Sequence, residues 1–325
     1  MTVFSDHEMD CSGWLPRALD FLLAIATELP AGVAEPLCHK AGFQVSRADL
    51  DRLISDFGLT VLRERKAALV AQAFEPLLPA LPHTEGRVIV TQLDGCIVLG
   101  QPEEGRCPGI EVKSVMVYPQ QAPQQRVMHS DVCTSHDFQP ACAGLLREAG
   151  VREHDVLVGL GDGAAWVSAT LRLMGAHVVL DVFHAVEYAD TVMRELGWNE
   201  AIRLEERQAW FRGERDAALW LEMYLPTPQG CQAWSEAGCD AARYLLERVE
   251  QMHYPQYRQQ GWPIGSGQIE GANKSVVGHR MKRSGQHWSR RGAAGMAAVR
   301  ARAVSVSKPP SFHSLRKSAF PAPHF

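Results

Sequence analysis

The sequence contains no acidic residue after Glu270. Residues 271–325 carry eleven Lys or Arg and no Asp or Glu, whereas the rest of the chain carries 22 Lys or Arg against 37 Asp or Glu. The formal net charge of −4 therefore combines an acidic body with a basic C-terminal segment. Such asymmetry predicts a polyanionic partner, and a solvated basic tail is the simpler alternative. The mixture of basic residues with Val, Met, Trp and Ala at helical spacing over 271–302 argues against that alternative.

The sequence also lacks paired cysteines, a signal peptide and a long apolar run. None of the eight cysteines forms a Cys-x-x-Cys pair, and no Cys/His cluster has the spacing of a zinc finger. No run of about 20 apolar residues is present. These absences argue against a structural zinc site and a membrane partner. They predict a reduced cytoplasmic protein with free thiols.

The hydrophobic pattern divides the chain of 325 residues into successive regions. In one of them short apolar strands alternate with helices, which predicts an α/β fold with a central mixed sheet. No internal repeat is visible. The predicted regions are a helical N-terminal region (1–85), the first part of the α/β core (86–190), an all-helical region (191–260), the closing helices of the core (261–305) and a disordered tail (306–325).

The N-terminal region contains two helical patterns joined by a short turn. The turn falls at Ala41-Gly42-Phe43, and Ser46 is the predicted N-cap of the second helix. This arrangement is compatible with a DNA-binding helix-turn-helix. It is equally compatible with an ordinary helical hairpin, and the latter is the commoner structure.

Acidic residues occur at the ends of the predicted strands. A β-rich run ends at Asp94, with Asp94-Gly95 as a turn signal, and another strand runs into Gly161-Asp162-Gly163. A third strand ends at Asp181 and passes into a helix. Ligands bind at the carboxyl ends of strands in α/β sheets, although Asp-Gly is by itself a common turn former. Carboxylates brought together there would repel one another unless a cation joined them, and their hard oxygens favour Mg²⁺ or Mn²⁺.

Five motifs together resemble a known family. VTQLDG, EVKSVMVY, GLGDGAAWV, LDVFHAVEY and GSGQIEGANKSVVGHRMKRSGQHWS, in that order, resemble bacterial insertion-sequence transposases of the Kra type, within the Mutator-like group of DDE transposases. The resemblance covers roughly residues 85–300. It implies a ribonuclease-H-like core that is interrupted by a helical insertion, and the region 191–260 has the place of that insertion.

The resemblance also implies the catalytic residues and the metal. Asp94, Asp162 and Glu270 correspond to the three acids, which would bind two Mg²⁺ (or Mn²⁺) ions for strand cleavage and for transfer of the freed 3′-OH into target DNA. Asp181 and His184 resemble the family's Asp/Cys-x-x-His motif and would support the site. From the residues alone, Asp181 rivals Asp162 as the second metal ligand. We favour Asp162, because its two flanking glycines would leave room for a metal and a phosphate.

Further residues are predicted to bind DNA. Asn273 and Lys274 follow Glu270 on the same helical face, and the basic residues beyond them suit backbone phosphates. His287 and Trp288 would stack on an unpaired base, with Trp288 as a core anchor as the alternative. The phosphate-binding residues predicted in this segment are Arg280, Lys282, Arg283, Arg290 and Arg291.

The partners that the resemblance implies are double-stranded DNA, both transposon ends and target, and further copies of the chain in a homo-oligomer on DNA. The protein would then work in the bacterial cytoplasm, on the nucleoid. Two other functions stay open from the sequence. One is a DNA-binding protein without catalysis that derives from a transposase, since the proline-rich tail departs from the family pattern. The other is a ribonuclease-H-like nuclease that cleaves without strand transfer.

Overall fold

The computed structural model describes residues 16–82, 85–225 and 234–305. Its centre is one five-stranded mixed sheet with the strand order β3-β2-β1-β4-β5. β1 pairs with β2, and β2 with β3, in antiparallel fashion, whereas β1, β4 and β5 run parallel to one another. The predicted α/β fold with a mixed sheet is confirmed. The strands are β1 (Val88–Leu99), β2 (Gly109–Pro119), β3 (Val127–Asp131), β4 (Val156–Gly161) and β5 (His177–Leu180).

The central strand β1 is longer than its sequence signals indicate. The predicted turn at Asp94-Gly95 is wrong, because β1 continues to Leu99 and pairs with β2 from Ile89 to Leu99. The run of β-branched and apolar residues that follows Gly95 favours the extended strand. Pairing with the parallel neighbour β4 runs only from Val88 to Gln92. Asp94 therefore lies inside one strand pair and just beyond the end of the other.

Two hydrophobic clusters cover the two faces of the sheet. Ile89 and Leu93 belong to one cluster, which includes residues of α4 (Ser135–Glu148) and α5 (Ala165–Leu173). Val90 and Val98 belong to the other, which includes α6 (Val182–Glu195) and the N-terminal and closing helices. Because side chains alternate along a strand, Gln92 and Asp94 face the second cluster.

The N-terminal helices are part of this second cluster. Ser46 caps α3 as predicted, through a reciprocal pair of hydrogen bonds with Asp49. α3 is one continuous helix that packs on the helix Arg290–Val304 so closely that a Cβ at Gly58 would lie 2.6 Å from the backbone of Gly295. This packing favours the helical hairpin over a free recognition helix. The three helices are α1 (Pro16–Glu28), α2 (Ala31–Lys40) and α3 (Arg47–Gln72).

The region 191–260 consists of helices joined by short turns and loops in its described parts, and it contains no strand in 191–225 or 234–260. Trp210 is fully buried and meets Trp220 edge to face, with ring centroids 5.5 Å apart. Such aromatic pairs bury a large apolar area and hold these short helices to the core. The helices are α7 (Glu200–Arg212), α8 (Ala217–Tyr224), α9 (Glu236–Leu246) and α10 (Tyr254–Gln259).

The closing segment consists of two helical stretches. α11 (Gly267–Asn273) continues through a π-helical turn, Lys274–Gly278, into the single turn α12 (His279–Met281). The loop after Met281 leads to α13 (Arg290–Val304), whose N-cap is Ser289. The predicted disordered tail 306–325, together with Cys11 and Cys231, lies outside the described residues. Within the described ranges, no helix combines the length and the apolar character needed to span a membrane.

Candidate active site at the carboxyl end of β4

Three acidic residues that are far apart in the sequence come together beside the sheet. Asp94 lies on β1 beyond the last residue paired with β4, and Asp162 follows β4 directly. Glu270 lies on α11, which packs against β1. Burial raises the pKa of Asp94, hydrogen bonds from Asn273 and the Gly95 amide oppose this, and the negative charges of Asp162 and Glu270 raise it further. The charges of Asp162 and Glu270 therefore act on Asp94.

Asp162 is fixed by contacts to its backbone and its side chain. Its Oδ1 accepts a hydrogen bond from the Ala164 amide at 2.9 Å, and its carbonyl accepts one from the Tyr244 hydroxyl. Arg248 Nε donates to the carbonyl of Gly163 at 2.9 Å. The region 191–260 thus holds the Asp162 loop in place, a role that the sequence did not reveal.

The reason given from the sequence for preferring Asp162 is wrong. Gly163 has φ 79°, and a Cβ there would lie 2.6 Å from Tyr244 Oη. A Cβ at Gly161 would lie 2.3 Å from Cγ1 of Val167. The two glycines make room for neighbouring side chains and for a left-handed turn, and the space beside them is already filled by protein.

Glu270 is positioned by the segment just before it, which is hydrogen-bonded to Glu270 itself and to β1. Its Oε1 accepts a hydrogen bond from the Ser266 hydroxyl at 3.1 Å. Gln92, two residues before Asp94 on the same face of β1, accepts from the Ile269 amide at 2.8 Å and donates to the Gly265 carbonyl at 3.4 Å. Gln92 was missed in the sequence, although a glutamine in the apolar run VIVTQLD is an unusual signal.

Asp181 connects β5 to the same loop. Its side chain is 0% exposed, and Oδ1 caps α6 by accepting from the amides of Phe183 (2.7 Å) and His184 (3.2 Å). Its Oδ2 accepts from the Ser266 amide. Both oxygens of this carboxylate therefore accept from backbone donors, three in all, which favours a positioning role over metal binding. The ring of His184 is 39% exposed and lies 3.8 Å from Glu187, so His184 contacts Asp181 through its backbone amide.

The prediction that Asn273 binds DNA is wrong. Asn273 is 3% exposed, because α11 presents it to the sheet, and its Nδ2 donates to Asp94 Oδ2 at 2.7 Å. Its Oδ1 is buried and has no hydrogen-bond partner within the described residues. Asn273 is therefore the direct partner of the first acid. Its neighbour Lys274 is exposed, and DNA binding by Lys274 stays a prediction.

The basic segment divides into buried and exposed members. Arg280 is 3% exposed, so it is not part of the exposed basic surface, and its phosphate contact stays a prediction. Trp288 matches the core-anchor alternative, since its Nε1 donates to the Met281 carbonyl at 3.0 Å and its backbone pairs with the end of β1. The residues that remain exposed, and whose DNA contacts stay predictions, are Lys282, Arg283, His287, Arg290 and Arg291.

The donor set fits a hard divalent cation in its chemistry. Asp94, Asp162 and Glu270 offer carboxylate oxygens, and a cation would stabilise the ionised form of Asp94, whose pKa is raised first by burial and further by the charges of the other two acids. Nevertheless, no group of three or more His, Cys, Asp or Glu side chains in the described parts of the chain is arranged to hold a metal ion. One oxygen of Asp94 accepts a hydrogen bond from Asn273, and one oxygen of Glu270 accepts a hydrogen bond from Ser266.

Comparisons with known proteins add no assignment. The chain matches none of the protein-family models with which it was compared, and no curated protein matches it either. The function must therefore be argued from the site itself.

Proposed function

We propose that this protein is a DDE-type DNA transposase, which cleaves a strand at each transposon end and joins the freed 3′-OH to target DNA. The observation that carries the proposal is the placement of three acids at one end of the β1–β4 pair: Asp94 on β1, Asp162 directly after β4, and Glu270 on α11, which packs against β1 and whose Asn273 donates to Asp94. The mixed sheet, with β1, β4 and β5 parallel, supports a ribonuclease-H-like core. The helices between α6 and α11 then correspond to the insertion before the last catalytic residue.

Asp94, Asp162 and Glu270 would hold Mg²⁺ or Mn²⁺, which supplies Lewis-acid stabilisation and an activated oxygen nucleophile for phosphoryl transfer. The chain's own residues position these acids. Asn273 orients Asp94, and the Ser266 hydroxyl orients Glu270. Rigid support of this kind keeps reacting groups within the narrow tolerance that in-line displacement requires.

The surface beyond α11 supports DNA as the partner. Lys274, Lys282 and Arg283 are exposed and follow Glu270 in a segment that has no acidic residue. Such a segment attracts phosphates and makes binding strongly dependent on salt. A transposase has to hold two DNA ends together, which supports a homo-oligomer on DNA. It would work on DNA in the bacterial cytoplasm.

The test is strand cleavage with Mg²⁺ on duplexes that carry the inverted repeats flanking the coding sequence. We expect Asp94→Asn, Asp162→Asn and Glu270→Gln each to lower the rate at least about 100-fold, because a metal ligand contributes several kcal/mol and about 1.4 kcal/mol is tenfold. Asp56→Asn, an exposed aspartate on α3, is the matched control. Full activity in any of the three variants would remove that residue from the set.

A second function has one observation in its favour. Asp94 and Glu270 are engaged by Asn273 and Ser266, and no metal-holding group is assembled in 16–82, 85–225 or 234–305. A DNA-binding protein that has lost catalysis is compatible with this arrangement. Such a protein would bind the inverted repeats without cleaving them in Mg²⁺ or Mn²⁺. Cleavage without joined products would instead indicate a nuclease.

A further inference from the structure

A cavity of about 520 Å³ lies beside the basic segment, away from the three acids. Its walls come from the start of α2, the first turns of α3 and the loop that precedes α13. The chemically informative lining residues are Arg47, Asp51, Arg52, Arg280, His287 and Ser289. Three arginines therefore face this space with a single carboxylate.

Arg280 is the buried member of this lining. It is 3% exposed, and its Nε has no hydrogen-bond partner among the described residues. Its Nη2 donates to the Ala26 carbonyl at 3.3 Å, and its guanidinium lies 5.2 Å from the ring centroid of Trp288. Burial lowers the pKa of Arg280 to about 10, so the group stays cationic at neutral pH. A buried guanidinium with an unused donor calls for an anion.

Asp51 is the only carboxylate of the lining, and it does not neutralise the cavity. Burial raises the pKa of Asp51, and the charge of Arg280 lowers it. Arg47 and Arg52 have side chains that are 68% and 72% exposed. Arg47 is paired with Glu35 at 3.0 Å, whereas Arg52 lies 3.9 Å from Asp49. Arg52 is therefore the rim arginine that is freest to bind a ligand.

The helix termini at this cavity are N-termini, so their partial charge is positive, like that of the arginines. α3 begins at Arg47, and α13 begins after its N-cap Ser289. Arg47 lies in the first turn of α3 and Ser289 and Gly292 lie at the start of α13, and the helix dipole at such N-termini favours negative charge. The buried guanidinium, the exposed rim arginines and the helix termini all favour a compact anion with several oxygen acceptors.

We propose that this cavity is a phosphate socket that receives one backbone phosphate of a nucleic acid. The planar guanidinium of Arg280 would donate to two phosphate oxygens at the buried end of the cavity. Arg52 would contact the same phosphate from the exposed rim. The phosphate chemistry follows from the cavity itself. The choice of a nucleic acid as its source rests on the proposed function.

The position of the cavity fits a DNA that also reaches the acids. The carbonyl of Leu99, at the end of β1, accepts a hydrogen bond from the Trp288 amide at 2.9 Å. From Asp94 to Leu99, β1 advances by about 17 Å at roughly 3.4 Å per residue. That length corresponds to about five steps of a duplex, at roughly 3.4 Å per step. One duplex is therefore long enough to place one phosphate at the acids and another in the socket.

The first experiment uses inorganic phosphate as the probe and the full-length protein in EDTA. Phosphate should raise the thermal unfolding temperature of the wild type, because it binds the folded state. Arg52→Ala and Arg280→Gln should bind phosphate roughly 10- to 100-fold more weakly, as expected for lost charged hydrogen bonds. Arg63→Ala, which removes an exposed arginine elsewhere on α3, should match the wild type. Equal phosphate binding by the wild type and Arg52→Ala overturns the socket, even if Arg280→Gln fails to fold.

The second experiment identifies the source of the phosphate. Binding of an inverted-repeat duplex is measured by fluorescence anisotropy in EDTA over a range of salt concentrations. Loss of one phosphate contact in Arg52→Ala should reduce the slope of log K against log salt by about 0.9, with Arg63→Ala unchanged. Weakened phosphate binding with an unchanged DNA slope would overturn the nucleic acid as the source. Because no cleavage is involved, a wild type that binds DNA through the socket but never cuts it refutes the proposed function alone.

Discussion

Asp94 is half-buried and Asp181 is fully buried; both accept hydrogen bonds from the closing segment, but they are held in different ways. Asp181 accepts hydrogen bonds from three backbone amides. Asp94 accepts from the side chain of Asn273 and the amide of Gly95, and it faces the negative charges of Asp162 and Glu270. A carboxylate whose two oxygens both accept from backbone donors stabilises the fold, whereas a half-buried one near like charges is poised to bind a cation.

The largest expected effect on stability is that of Asp181→Ala. This change removes the cap of α6 and leaves the buried Ser266 amide without its acceptor. We expect the free energy of unfolding to fall by roughly 2–4 kcal/mol, measured by urea denaturation. Asp216→Ala removes only the cap of α8 and should cost about 1 kcal/mol. Equal losses in the two variants would show that Asp181 is an ordinary cap.

Gln92→Leu tests the other attachment of the same loop. The change leaves the Ile269 amide without an acceptor and should lower the free energy of unfolding by about 1–3 kcal/mol. Because Gln92 and Asp181 bind one loop, the double variant should deviate from additivity by at least about 0.5 kcal/mol. Gln92→Leu combined with Asp216→Ala should be additive. Additivity in both pairs would contradict a shared role in holding the loop.

Asp94→Asn should change stability in the opposite direction. Burial raises the pKa of Asp94, so the ionised side chain destabilises the folded state. Below the ordinary aspartate pKa of 3.8 both states are protonated and this destabilisation is absent; it grows as the pH rises through the unfolded pKa and is complete above the folded one. In EDTA at neutral pH, the variant should therefore be more stable than the wild type. Denaturation at pH 3 and pH 7 measures the difference, and a less stable variant at pH 7 would contradict this account.

His184→Ala should have the smallest effect. The His184 ring is partly exposed and lies near Glu187, whereas its contact with Asp181 is made by the backbone. We expect the free energy of unfolding to change by less than about 0.5 kcal/mol, which urea denaturation resolves against Asp181→Ala. A loss comparable to that of Asp181→Ala would give the ring a structural role that the geometry does not show.

The parts of the fold that the sequence predicts well are those with local causes. The N-cap at Ser46, the strand before Asp162 and the strand-to-helix passage at Asp181 each follow from a few neighbouring residues. The turn predicted at Asp94-Gly95 is wrong because turn propensity is a local property. The pairing of β1 with β2 is a tertiary interaction, and it overrides that propensity.

The errors in the site have a similar origin. The charge pattern could not show that Asn273 and Arg280 are buried, since burial depends on how the closing helices pack on the sheet and on α1. The side chains that occupy the space beside Gly163 could not be predicted either, because Tyr244 and Arg248 are more than eighty residues away in the sequence. Contacts of this range have no signature in one sequence.

The π-helical turn Lys274–Gly278 determines how the residues after it are rotated about the helix axis relative to the residues before it. A π turn accommodates one residue more than an α-helical turn, and one residue corresponds to about 100° of rotation. Glu270, before the turn, faces the acids, whereas Arg280, after it, faces the cavity beside Trp288. The length of this turn therefore couples the orientation of the two ends, so a deletion of one residue there would disturb both without touching either side chain.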